Sequence, residues 1–245
     1  LIEYGRSIRW YNNYVEEVNF SNGNRFDLMQ VWYKQGEILL DNIENPKEKT
    51  IKELGFPIIF HALLDINEFE ENTPKLIELL NYLSHKELIV HPICISEEIN
   101  KDTIYKLSER VSILSKQLGP EIKLFVENNS KIDPINYTIE DIELLYSENP
   151  NVELLLDLAH IDDYEHLEKI VNIKKPKMLH VADKRFGIEH EHLPIGKGNM
   201  NFEYIFNEVL YDFDGKIIFE VVEDDDKQII ESKNIIENIL HKKKV

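Results

Sequence analysis

The chain has 245 residues, with nine histidines and 46 acidic side chains, an ample stock of metal ligands. Their placement is more telling than their number. Six imidazoles (His61, His91, His160, His180, His190 and His192) fall in or just beyond short apolar runs, whereas His85, His166 and His241 lie on segments with helical spacing or at their ends. Three carboxylates share the first pattern: Glu127 closes Leu-Phe-Val-Glu, Asp157 closes Leu-Leu-Leu-Asp, and Glu220 follows Ile-Ile-Phe. A carboxylate buried in such a run is costly unless it is paired or bound to a metal. Imidazoles and carboxylates brought to one place suit a divalent ion, zinc or manganese foremost, with magnesium and cobalt as alternatives. No thiolate is needed, because the lone cysteine, Cys94, reads as a small buried apolar residue.

These residues need elements to position them, and the apolar pattern supplies a regular beat. Compact, nearly continuous apolar runs at 26–33, 57–61, 88–91, 122–127, 152–157, 178–181 and 217–222 read as buried parallel strands. An eighth strand is expected within 1–7, ahead of a helix around 11–18. Between the runs lie helical segments. Residues 75–83 place Leu76, Ile77, Leu79, Leu80 and Leu83 on one broad face, and 103–118 repeat the pattern before Gly119-Pro120 stops it. Thr138 opens Thr-Ile-Glu-Asp, close to a capping box, and 226–240 form a last amphipathic helix. Eight strand–helix units in roughly 250 residues predict an α/β fold, a single (β/α)₈ TIM barrel making one domain over 1–245. No Gly-x-Gly-x-x-Gly follows the first strand, which argues against a dinucleotide site. On this frame His61 and His91 end the third and fourth strands, Glu127 and Asp157 the fifth and sixth, and His180 and Glu220 lie in the seventh and eighth. His160 follows Asp157 by three residues, and His190 and His192 lie in the loop after the seventh strand. Six consecutive strands thus deliver a ligand-type residue to the face where barrel enzymes keep their sites.

Hydrophobic residues make up 42% and charged residues 30%, an ordinary globular balance. No apolar run approaches the ~20 residues of a membrane span, and residues 1–10 contain no signal-peptide core. A single cysteine fits a reducing compartment, so the cytoplasm is the expected location. The net charge of −18 opposes nucleic-acid binding, and the one basic run, Lys242, Lys243 and Lys244, reads as the end of a helix. A small carbohydrate-like substrate is the expected partner, no membrane is expected, and a homo-oligomer stays open.

Taken in order, the segments Phe-His-Ala at 60–62, Val-His-Pro at 90–92, Val-Glu-Asn at 126–128, Leu-Asp-Leu-Ala-His at 156–160, His-Val-Ala-Asp at 180–183, His-Leu-Pro-Ile-Gly-Lys-Gly at 192–198 and Phe-Glu at 219–220 carry a resemblance. The chain resembles the xylose isomerase-like barrels, which include sugar epimerases, inosose dehydratases and endonuclease IV. In the epimerase branch one metal is held by two Glu, an Asp and a His, and the resemblance assigns these to Glu127, Asp157, His180 and Glu220. Endonuclease IV extends the set to three zinc ions, and His61, His91, His160 and His192 match further members. His190 departs, since that family has Asp there.

With a metal on the four-residue set, the reaction expected is isomerisation or epimerisation of a sugar, sugar phosphate or cyclitol: proton transfer next to a metal-bound carbonyl, via an enediolate, with Glu127 and Glu220 as acid and base. Lys184 and Arg185 are candidates for neutralising an anionic substrate group, or are solvated loop charges. Trp32 and Tyr33 either wall a sugar ring or pack in the core, with core packing favoured. Gly196 and Gly198 are expected to allow a tight loop. Two alternatives stay open: an endonuclease IV-type phosphodiesterase acting on abasic DNA, and a non-catalytic barrel.

Overall fold

A computed structural model describes residues 1–222 and 226–242. Eight parallel strands close into a barrel: β1 (Glu3–Ser7), β2 (Leu28–Lys34), β4 (Ile58–Asp65), β5 (Glu87–Ile93), β6 (Lys123–Glu127), β7 (Glu153–Asp157), β8 (Met178–Val181) and β9 (Lys216–Phe219). Each pairs in parallel with the next, and β1 joins both β2 and β9, which leaves the ring no free edge. A two-residue strand, β3 (Glu37–Ile38), returns antiparallel on β2 and has no counterpart in the expected pattern.

The helices that follow the strands are α1 (Tyr14–Gly23), α2 (Lys47–Leu54), α3 (Phe69–Leu83), α4 (Lys101–Leu118), α5 (Ile139–Glu148), α6 (Tyr164–Ile173), the short α7 (Phe202–Tyr204) and α8 (Asp226–Lys242). Side chains fix their starts. Asn13 caps α1, Asn100 and Thr103 cap α4 reciprocally, Thr138 accepts from Asp141 N, and Asp163 accepts from His166 N. Several expected boundaries move. The first helix begins at Tyr14 rather than near residue 11, α3 begins at Phe69, and β4 runs four residues beyond His61 to Asp65. Of the expected basic run, Lys242 ends α8, and Lys243 and Lys244 lie outside the described residues.

Two cores result. Leu and Ile side chains on the outer strand faces pack against the helices, and a separate cluster fills the barrel: Leu28, Ile59, Ile89, Phe125, Leu155, Met178 and Ile218. The first strand adds Gly5 to that layer, where a Cβ would come within 2.9 Å of Leu28 and 3.2 Å of Ile218. Seven large side chains leave no room for an eighth.

Candidate metal centre

Side chains on a strand alternate faces, so the residue two places after each floor residue also points inward. Applied to Gly5, Leu28, Ile59, Ile89, Phe125, Leu155, Met178 and Ile218, that rule gives Ser7, Gln30, His61, His91, Glu127, Asp157, His180 and Glu220. Every strand of the barrel therefore delivers one polar side chain to the layer above the apolar floor. Six of the eight are ligand-type residues singled out by sequence. The other two, Ser7 and Gln30, carry neutral side chains of ordinary polarity and were missed; the period-two step from Gly5 and Leu28 is the signal that finds them. His61 reaches this layer from mid-strand, not from a strand end, and Glu220 lies one residue past β9 rather than within it.

The side chains interlock. Glu127 is buried at the centre, with Oε2 2.7 Å from His61 Nε2 and 3.0 Å from His91 Nδ1. His180 Nδ1 faces three carboxylates, 3.3 Å from Glu127 Oε1, 3.5 Å from Asp157 Oδ2 and 2.9 Å from Glu220 Oε2. The other nitrogen of His180 lies 2.7 Å from Gln30 Oε1, and the Gln30 amide nitrogen donates to Glu220 Oε1 (3.2 Å) and Ser7 Oγ (3.3 Å). Asn128 clamps the next strand, accepting from Asp157 N and donating to Asp157 O. Two backbone carbonyls fix tautomers: His160 Nδ1 donates to Asn128 O (2.8 Å) and His192 Nδ1 to Glu220 O (2.9 Å). Each leaves its Nε2 lone pair free to face the site.

Burial alone would discharge these groups, and their mutual attraction opposes it. For Glu127, burial pushes towards the neutral acid, but His91, His180 and His61 together hold the carboxyl well below its usual range. Burial likewise disfavours a charge on His180, yet Glu220 and Glu127 outweigh it and hold the imidazole well above its ordinary value. At His190 the pull of Asp157 is outweighed. Burial, then His192 and His160, bring it down to about 4.

Among the described residues, three groups place one ligand atom each within 4.8 Å of one another: Glu127–Asp157–His180–Glu220, His61–His91–Glu127 and His160–His190–His192. All lie at the mouth, and Glu127 belongs to two of them. The fit to a cation is testable on the protein's own atoms. Asp157 Oδ2, His160 Nε2 and His61 Nδ1 are buried without a hydrogen-bond partner. Three orphaned acceptor-capable atoms in one cluster of ligand-type side chains are expensive, and a divalent metal is what this donor set would satisfy.

Above the layer opens a cavity of roughly 400 Å³, lined among others by Ser7, Arg9, Trp32, Leu63, Glu127 and Glu220. Trp32 forms part of its wall, not of the core: the indole stands edge-on to His61, ring centres 4.4 Å apart, and donates to Ser7 Oγ (3.2 Å). Tyr33 points the other way, buried, with its hydroxyl donating to Asn72. Lys184 and Arg185 do not line the cavity. The Lys184 amine is buried and donates to Ile161 O (2.9 Å), and Arg185 is taken up by a two-pronged ion pair with Glu191. Cys94 is buried just past β5, its thiol on Glu97 O. A cleft of roughly 470 Å³ beside β3 contains Lys47, Glu48, Lys75 and Glu78 but none of the three ligand groups.

The loop after β8 is built on Asp183, whose carboxylate accepts from Gly196 N (2.8 Å), Gly198 N (2.9 Å) and Met200 N (3.2 Å). Asp183 and Leu193 also exchange backbone hydrogen bonds at 2.7 and 2.8 Å, which sets His192 beside the mouth. The two glycines thus serve a tight loop wrapped round a carboxylate.

The sequence matches the model of the xylose isomerase-like TIM barrel family over residues 51–240, and the chain belongs to that family. Solved structures share its architecture. A D-tagatose 3-epimerase-like protein superposes with a TM-score of 0.75 at 20% identity, covering 98% of this chain and 97% of that one. The IOLI protein with a binding zinc atom gives 0.72 at 15%, covering 98% and 97%. An AP endonuclease of family 2 from Brucella melitensis gives 0.68 at 16%, covering 94% and 96%. At these identities the likeness is one of fold. A search among curated proteins found no match.

Proposed function

We propose that this protein is a metal-dependent isomerase or epimerase of a small polyhydroxylated carbonyl compound: a sugar, a sugar phosphate or a cyclitol. The observation that carries this reading is the placement of Glu127 and Glu220 together against Nδ1 of His180 at the foot of one cavity. Glu127, Asp157, His180 and Glu220 would hold the ion, zinc or manganese first among the candidates. A divalent ion there supplies Lewis-acid charge beside a substrate carbonyl and its neighbouring hydroxyl.

The remaining chemistry belongs to side chains. Glu127 ends β6 and Glu220 follows β9, three steps apart around the ring, so they meet a substrate from different directions. One removes the proton beside the carbonyl and the other returns it, which is what inversion or migration of a centre requires. Ser7 Oγ already accepts from Gln30 and Trp32, which fills both lone pairs and leaves its O–H to donate to a substrate oxygen. The Trp32 ring offers an apolar wall to the C–H face of a sugar. A cavity of this size takes a monosaccharide or cyclitol.

The test is a panel of ketoses, their phosphates and cyclitol ketones incubated in D₂O with zinc- or manganese-loaded protein. Deuterium is expected beside the carbonyl of the true substrate. Glu127→Gln and Glu220→Gln should each lower turnover by about 10²-fold or more while keeping the cooperative melt. Full activity in either variant removes the proposed acid–base pair.

One observation favours a second reading, a metal-dependent phosphodiesterase of the endonuclease IV type. Glu127 is shared between two ligand groups and a third, His160–His190–His192, adjoins them, an arrangement suited to several ions. The net charge of −18 opposes a DNA substrate. Robust nicking of an abasic duplex by the metal-loaded protein would overturn the isomerase reading.

A further inference from the structure

Gln30 stands at the junction of the site. It is completely buried on β2, and its amide spans β8 and the end of β9, touching His180 at one end and Glu220 at the other. The amide has one orientation that works. Glu220 as a carboxylate can only accept, so the NH₂ end must face it, and the same NH₂ reaches Ser7 Oγ. The carbonyl end is then left 2.7 Å from His180 Nε2, and a carbonyl can only accept. That nitrogen must therefore carry a proton. The reversed amide would set oxygen against oxygen at Glu220.

We infer that Gln30 is the positioning residue of the metal centre: it holds the His180 proton on Nε2, so that Nδ1 is the nitrogen turned to the ion between Glu127, Asp157 and Glu220. The inference rests on the metal reading above and deepens it. The same amide restrains one oxygen of Glu220 and leaves Oε2 on the His180 side. His160 and His192 have their tautomers set by backbone carbonyls, whereas His180 depends on this one side chain. Partners of this kind typically contribute 10–100-fold to metal affinity.

The experiment uses the full chain, stripped with a chelator and titrated with Zn²⁺ or Mn²⁺ by calorimetry, as wild type and as Gln30→Met, which keeps length and volume but has no amide. The variant is expected to bind about 10–100-fold more weakly while still melting cooperatively, at a somewhat lower temperature, in the metal-free state. Equal affinity overturns the inference. Long-range ¹H–¹⁵N spectra of the zinc-loaded wild type supply a second readout that mere packing would not move. The imidazole assigned through His180→Gln should show a protonated, slowly exchanging Nε2 and a metal-bound Nδ1. Zinc on Nε2, or a rapidly exchanging Nε2 proton, overturns the inference even if Gln30→Met fails to fold. A wild type that binds neither ion overturns the metal reading itself, whereas a wild type that binds normally beside an unaffected variant removes only the role of Gln30.

Discussion

Buried carboxylates at the strand ends of this barrel differ in kind, and their partners separate them. Glu127 and Asp157 look towards imidazoles, and Asp157 keeps Oδ2 without a hydrogen-bond partner, whereas Asp65, at the end of β4, is surrounded by donors. Its oxygens accept from the amides of Ile95 (2.7 Å), Ser96 (3.2 Å) and Asn67 (3.0 Å) and from the Ser96 hydroxyl. Burial would raise its pKa, but the Ser96 hydroxyl and the amides of Asn67, Ile95 and Ser96 together hold it below the ordinary value. A folded-state pKa below the unfolded one stabilises the fold above the usual carboxylate range and loses that stabilisation as pH falls through the lower value. Asp65→Asn should therefore lower the melting temperature at neutral pH and flatten its decline below about pH 4. An acid limb identical to that of the wild type would contradict this assignment. At this scale the ligand-type residues were legible because their burial is costly enough to demand a reason. Gln30 and Ser7 were not, because a neutral amide or hydroxyl in a strand raises no such demand until its neighbours are known.

Among the elements, the loop after β8 holds the outer histidines in place. Gly198 packs so closely on Asp183 and Lys184 that a Cβ would fall 2.3 Å from Asp183 Oδ1 and 2.3 Å from the Lys184 carbonyl oxygen. Gly198→Ala must push the loop away, at a cost of about 1–3 kcal/mol. The expected result is a lower melting temperature and loss of the His160–His190–His192 group, with the Glu127–Asp157–His180–Glu220 group retained. Loss of every metal site together would show that the loop supports the whole mouth. Helices were legible from their apolar faces and caps, as Thr138 illustrates. Strand ends were less so, because His61 looks like a terminus in sequence while β4 continues through Ala-Leu-Leu-Asp, residues whose pairing with β5 only the sheet register reveals. The β3 return is two residues long, too short for any periodicity to mark.

For the whole molecule, the (β/α)₈ beat made the barrel legible, while closure depended on β1, a strand whose Gly5 and Arg6 disguise an interior position and a buried ion pair with Glu17. Closure turns eight separate two-residue steps into one continuous polar ring above an apolar floor. The strongly acidic chain leaves Asp157 Oδ2 without a hydrogen-bond partner at that ring, and no described helix is long and apolar enough to cross a membrane. The ion proposed for this ring, on Glu127, Asp157, His180 and Glu220, is tested most directly at Asp157, which among the described residues belongs to that group alone. The direct measurement is metal content per chain after chelator stripping, reloading with zinc or manganese and desalting, for wild type and Asp157→Asn. The wild type should retain at least one ion per chain and the variant one fewer. A wild type that retains none, or an Asp157→Asn protein that retains as many as the wild type, would contradict the account.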